Sequence, residues 1–157
     1  MASAVPELRQ QTIRRLLVVC TGNLCRSPMA AALLSARARQ RRQPLQVASA
    51  GIAAAVGRSA PSPVLELMSG RGLDLSEHRA QQLTVELANE HELLLVMETA
   101  QQRWIERSWS GLKGRVQRIG VWRNQDVPDP YGLTEERYAD CLARLEACVG
   151  DWEARLL

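Results

Sequence analysis

Leu16-Leu17-Val18-Val19-Cys20-Thr21-Gly22-Asn23-Leu24-Cys25-Arg26-Ser27-Pro28 is the stretch on which the fold turns. Four consecutive apolar residues, two of them β-branched, read as a strand buried on both faces, the pattern of a parallel sheet. Ser27 followed by Pro28 predicts a helix start, with Ser27 as N-cap and Pro28 at the first helical position. Residues 29–42 continue as good helix formers. A strand, a tight loop and a helix therefore follow one another directly.

The same alternation continues along the chain. A second strand fits residues 45–50 and ends at Gly51, and an alanine-rich loop leads to a helix opening near Pro61 or Pro63. Further helix is expected over 76–89, a buried strand over 93–97, helix over 99–108 and a weaker strand over 116–121. Prolines and a glycine force a loop from 126 to 132. Thr134, with Glu135 and Glu136 behind it, opens a long terminal helix reaching Trp152 or beyond. Strands alternating with helices imply an α/β fold: a single three-layer domain, a four-stranded parallel sheet with helices on both faces, and a phosphate-type loop after the first strand. With 157 residues the chain suits one domain, read as 14–157 behind a flexible extension of residues 1–13.

Composition narrows the function classes. The chain is 46% hydrophobic and 24% charged, with a formal charge of +3, which is far from the pattern of disorder. The densest basic stretch, Arg37, Arg39, Arg41 and Arg42, has no aromatic residue interleaved for base stacking and reads as a solvated helix end, so no nucleic-acid partner is expected. Four cysteines are too few for a disulfide scaffold. Their positions, 20/25 and 141/148, lack the spacing and neighbouring histidines of a zinc site, so no metal is expected. The apolar run before Cys20 is too short to enter a membrane, and a reducing, cytoplasmic setting follows.

The loop carries the chemistry. Five residues separate Cys20 from Arg26, between a strand end and a helix N-terminus. Successive backbone N–H groups from Thr21, Gly22, Asn23, Leu24, Cys25, Arg26 and Ser27 can form an anion nest. The helix dipole adds positive potential, and Arg26 adds a planar fork suited to phosphoryl oxygens. Gly22 is expected to let the backbone turn inward. The same field favours a nucleophilic thiolate at Cys20, and the Ser27 hydroxyl is placed to donate to it. Cys25 stands five residues from Cys20, where it either captures an oxidised Cys20 as a disulfide or merely packs against the first helix. A bare Cys-x5-Arg is a weak signal. The full Cys-x-Gly-Asn-x-Cys-Arg-Ser-Pro string directly after an apolar strand is a specific one.

These residues resemble the low-molecular-weight protein tyrosine phosphatases, whose signature joins this loop to an Asp-Pro-Tyr loop near the C-terminus, here Asp129-Pro130-Tyr131. Ser49-Ala50-Gly51 and Ser76, His78 and Ala80 extend the similarity to nearly the whole chain. Val56-Gly57 and the run from Asp126 to Tyr131 point to the bacterial type associated with exopolysaccharide tyrosine kinases. The resemblance implies Cys20 as nucleophile, Arg26 as phosphate clamp, and Asp129 as general acid and then base, with no metal or cofactor. It further implies that Asn23 holds the loop in shape, that His78 hydrogen-bonds Asn23, and that Ile52 and Tyr131 line the substrate pocket. The expected partner is a phosphotyrosine protein such as a bacterial tyrosine autokinase, and the expected state is a cytoplasmic monomer.

The sequence departs from the family pattern at several places. Ile52, Ala53 and Ala54 stand where animal members place an aromatic wall, Gln81 where an arginine is common, and Gly132 where many carry a second aromatic. Three other functions stay open. A protein-arginine phosphatase on the same fold tends to carry threonine at the position of Leu24, whose bulk suits an aromatic ring better. A thioredoxin-coupled arsenate reductase needs two further shuttling cysteines, and Cys141 and Cys148 lie two turns apart on one predicted helix, about 10 Å along its axis. A catalytically silent phosphate-binding module usually loses the nucleophile or the acid, and Cys20, Arg26 and Asp129 are all present.

Overall fold

The apolar run becomes the first central strand of the sheet. The computed structural model describes residues 12–157, in which Leu16 to Val19 are wholly buried within β1 (Arg15–Cys20). Side chains along a strand point alternately to opposite faces. Leu16, Val18 and Cys20 accordingly enter one core, and Leu17 and Val19 enter a second. A continuous apolar run satisfies both faces at once, which is why it shows no alternation.

After β1 come α1 (Arg26–Gln40), β2 (Gln46–Gly51), α2 (Ser62–Ser69), α3 (Val85–Asn89), β3 (Leu93–Val96), α4 (Thr99–Ser108), β4 (Val116–Arg118) and α5 (Glu135–Leu156). Single 3-10 turns occupy Ser110–Leu112 and Val121–Arg123. The four strands pair in parallel in the order β2-β1-β3-β4. Helices α1, α2 and α5 cover the face that holds Leu16 and Val18, while α3 and α4 cover the other. The expected three-layer α/β architecture is thus the observed one.

The long last helix shows why the layers adhere. Tyr138, Cys141, Leu142, Leu145, Cys148, Val149 and Trp152 recur at three- and four-residue intervals and are buried as one stripe. Each large apolar member contributes about 1.5–3 kcal/mol on burial. Trp152 also donates from its indole N–H to the Ile119 carbonyl at 2.8 Å, so its polar atom is not stranded in the core. Thr134 caps this helix as expected, its hydroxyl accepting from the Arg137 N–H.

Three expectations need correction. Helix α1 starts earlier than expected, with Cys25 rather than Ser27 at the N-cap, and the Ser27 hydroxyl is engaged instead with Cys20 Sγ and Asn23 Nδ2. Residues 76–84 are not helical. Gly51 takes the Gln81 carbonyl at 3.0 Å and gives its own carbonyl to Leu83 at 2.8 Å, so this segment runs alongside the end of β2, and only Val85–Asn89, capped by Thr84, forms helix. The fourth strand is shorter than 116–121, since Val121–Arg123 turns away. The proposed extension falls mostly outside the described residues; Ile13, within it, packs against the larger core. Among the described residues no helix is long and apolar enough to cross a membrane.

The strand order has a functional consequence. The chain leaves β1 toward β2 on one side, and β3 lies on the other, so the order reverses beside β1. In open parallel sheets the crevice at such a reversal, beyond the carboxyl ends of the strands, is where ligands sit.

Candidate active site

At that crevice the loop after β1 is held by its carbonyls. The Cys20 carbonyl accepts from Ile52 N–H at 2.9 Å, Thr21 from Ala53 at 2.9 Å, and Gly22 from Ala55 at 3.1 Å. The next carbonyl, that of Asn23, faces His78 Nε2 at 2.7 Å, and because a carbonyl only accepts, Nε2 carries the proton. Four successive carbonyls are therefore turned outward. Among the described residues, the main-chain N–H groups of Gly22 to Cys25 donate to no protein acceptor. Such a row of free amides is a binding surface for an anion.

Asn23 fixes this shape. It is fully buried and adopts a left-handed backbone, φ 56°, a conformation that asparagine tolerates better than most side chains. Its Nδ2 donates to Ser27 Oγ at 2.7 Å and Ser49 Oγ at 3.0 Å, and its Oδ1 accepts from the Gln81 N–H at 2.9 Å. Gly22 does not have the positive φ expected of a turn glycine, and a Cβ there would approach nothing nearer than Leu24 Cγ at 3.9 Å. The glycine the loop depends on is Gly51, where a Cβ would lie 2.5 Å from the Thr21 carbonyl oxygen.

Ser27 links this scaffold to the nucleophile. Its oxygen accepts from Asn23, and its hydroxyl hydrogen has two acceptors within reach, Cys20 Sγ at 2.9 Å and the more distant Ala50 carbonyl at 3.5 Å, so that the nearer one is the sulfur. That bond stabilises negative charge on the sulfur.

Arg26 lies almost wholly buried, 2% exposed, at the base of α1. Its Nη1 donates both to the Glu98 carboxylate and to the Val127 carbonyl at 2.9 Å, using both hydrogens of that nitrogen. The edge made by Nε and Nη2 is left for other acceptors. Burial by itself would lower the guanidinium pKa; the Glu98 hydrogen bond, with the Cys20 and Asp129 charges, outweighs it and holds the group above its ordinary range. Asp129 Oδ2 stands 3.7 Å from Arg26 Nη2, and its Oδ1 accepts from the Tyr131 N–H at 3.1 Å. The first and last thirds of the chain thus meet in one pocket of about 220 Å³, lined among others by Cys20, Leu24, Arg26, Ala55, Asp129 and Tyr131.

Most expected site residues are brought together here. Ile52 is the exception: it packs against the core on the far side of the sheet, and Ala55 and Arg58 form that wall of the pocket instead. Glu98 and Gln101 were not foreseen. The Gln101 Oε1 accepts from the Met97 and Glu98 N–H groups, and its Nε2 reaches Thr21 Oγ1 at 3.1 Å. Glu-x-x-Gln after an apolar run is a capping-box signal, so the sequence announces a helix start there but not the partner of an arginine seventy residues away.

The other cysteines behave as core groups. Cys25 is buried, and burial, followed by the nearby Asp129 and Cys20 charges, pushes its thiol up to about 12. Burial likewise pushes Cys141 up to about 12. All four cysteines are free.

Comparison with known proteins accords with this geometry. The model of the low molecular weight phosphotyrosine protein phosphatase family matches residues 15–157. A probable low molecular weight protein-tyrosine-phosphatase, EpsP, of Ralstonia solanacearum is 44% identical over 144 residues, which cover 92% of this chain and 97% of that one. The tyrosine phosphatase Wzb from Escherichia coli K30, in complex with sulphate, aligns with a TM-score of 0.86 at 32% identity over 92% of this chain and 99% of its own. The YwlE arginine phosphatase aligns with a TM-score of 0.85 at 28% identity over 90% and 95%. The chain belongs to the low molecular weight phosphotyrosine protein phosphatases, a family of phosphoric monoester hydrolases.

Proposed function

We propose that this chain hydrolyses phosphotyrosine in proteins through a phosphocysteine on Cys20, without a metal ion, as a cytoplasmic monomer. The observation that carries the reading is the meeting of Cys20 Sγ, the free loop amides, the open edge of Arg26 and the Asp129 carboxyl around one pocket. A phosphoryl group seated on the amides would present phosphorus to the sulfur. As the S–P bond forms, the P–O bond to tyrosine breaks, and Asp129 delivers its proton to the departing phenolate oxygen. The loop amides and Arg26 stabilise the equatorial oxygens as charge develops on them. In the second step Asp129 accepts a proton from water as its oxygen attacks phosphorus, and Cys20 leaves as a thiolate stabilised by the Ser27 hydroxyl. A bacterial tyrosine autokinase is the proposed physiological substrate, in keeping with the family type read from the sequence.

The likeness to an arginine phosphatase keeps phosphoarginine as a second reading. Leu24, apolar and lining the pocket, supports an aromatic ring above the phosphate rather than a guanidinium. Turnover of matched phosphotyrosine and phosphoarginine peptides in the presence of a chelator tests the choice. The proposal expects phosphotyrosine to be preferred, the chelator to have no effect, and Cys20→Ser to lose about 10³-fold or more. Preference for phosphoarginine, or activity that survives Cys20→Ser, would overturn it.

A further inference from the structure

A second and larger cavity adjoins the first. About 610 Å³ in volume, it lies between the loop at Asp129 and the first half of α5, and Asp129 lines both cavities. Its walls are apolar at Pro128, Pro130 and Leu133, with Arg137, Asp140 and Arg144 along the helix side. Leu133 is 57% exposed, a large apolar side chain that its own chain leaves uncovered. Among the described residues neither arginine makes an ion pair, not even with Asp140 one turn away from each.

The sizes of the two cavities bear on their use. The smaller, about 220 Å³, suits a phosphoryl group and an aromatic ring but not the peptide on either side of them. The larger is within the roughly 300–1,000 Å³ usual for a ligand site. A chain whose phosphotyrosine enters the first would cross the ridge from Asp129 to Tyr131 and reach the second directly. We propose that this groove is a substrate subsite that takes residues flanking the phosphotyrosine, with an apolar side chain against Pro130 and Leu133 and a carboxylate near Arg144 or Arg137. The continuity of the two cavities at Asp129 favours the substrate itself over a separate ligand, and the uncommitted guanidinium groups favour an acidic flank. The inference rests on the tyrosine-phosphatase reading and adds the chemistry of the substrate's neighbouring residues.

The test compares kcat/KM for phosphotyrosine peptides carrying Leu with Glu, or Leu with Lys, on the N-terminal or the C-terminal side, and for free phosphotyrosine. Wild type should prefer the Glu peptide to the Lys peptide by about threefold to tenfold on one side. Arg144→Glu or Arg137→Glu should invert that preference, a result that partial unfolding cannot mimic, and Leu133→Asp should lower the gain over free phosphotyrosine. Comparing the two charge reversals tells which guanidinium faces the carboxylate. Equal use of both peptides by wild type, or a Glu preference that survives both charge reversals, would overturn the groove while leaving the tyrosine-phosphatase reading intact. No turnover of free phosphotyrosine or of any of the peptides would overturn both.

Discussion

Asn23 carries more of the loop's shape than the glycine beside it, because its one side chain joins Ser27, Ser49 and Gln81 while its backbone takes the strained turn. That Cys20, Arg26 and Asp129 would meet was legible in the sequence, because the proposed chemistry requires those residue types in those settings. Glu98 was not, since its pairing with Arg26 arises only when β3 comes to lie beside β1. On the proposed reading, the Arg26 guanidinium, buried and fixed on one side by Glu98, turns its other edge to the phosphoryl group. Glu98→Gln keeps the shape and the helix-capping oxygen but removes the charge that holds the guanidinium. We expect kcat/KM to fall by about 10–10²-fold for both activated and ordinary aryl phosphates, because the clamp acts whatever the leaving group. A loss confined to the ordinary leaving group would instead place Glu98 in proton transfer. Burial, followed by the Asp129 and Cys20 charges, pushes the Cys25 thiol up to about 12, which disfavours the thiolate that a protective capture of an oxidised Cys20 would need.

Among the elements, those with one strong signal were read well and those shaped by a neighbour were not. β1, β3 and α5 carry an unbroken apolar run or a capped apolar stripe, and their existence and approximate limits follow from local sequence. Residues 76–84 have helical composition, yet Gly51 and Asn23 claim their backbone groups, and no local pattern reports such distant partners. Gly51 makes the sharpest test at this scale. An added Cβ would meet the Thr21 oxygen at 2.5 Å and the Asn23 nitrogen at 3.0 Å, both backbone atoms of the loop after β1 that cannot swing aside. Gly51→Ala should cost about 1–3 kcal/mol of stability, a fall of several degrees in Tm, and should lower kcat as the loop shifts. Gly150→Ala, on the exposed side of α5 with open space for the methyl group, should be neutral or mildly stabilising. Equal effects at the two positions would remove the argument for close approach at Gly51.

At the scale of the whole molecule, the strand order decides that the loop after β1 and the loop at Asp129 share one crevice. Alternating strands and helices made that meeting legible in advance, because carboxyl-end loops of a parallel sheet gather on one side. What the sequence did not disclose was the larger groove behind Asp129, whose walls come from a loop and from a helix face spaced correctly only after packing. The central claim, that Cys20 carries the phosphoryl group between the two steps, has a direct test in the Asp129→Asn variant with an activated aryl phosphate. The activated leaving group departs without help while the second step lacks its base, so phosphoenzyme should accumulate. Acid quenching during turnover followed by peptide mass analysis should find phosphate on the peptide containing Cys20, approaching one per chain. Continued turnover with Cys20 unmodified at every time point would contradict the account.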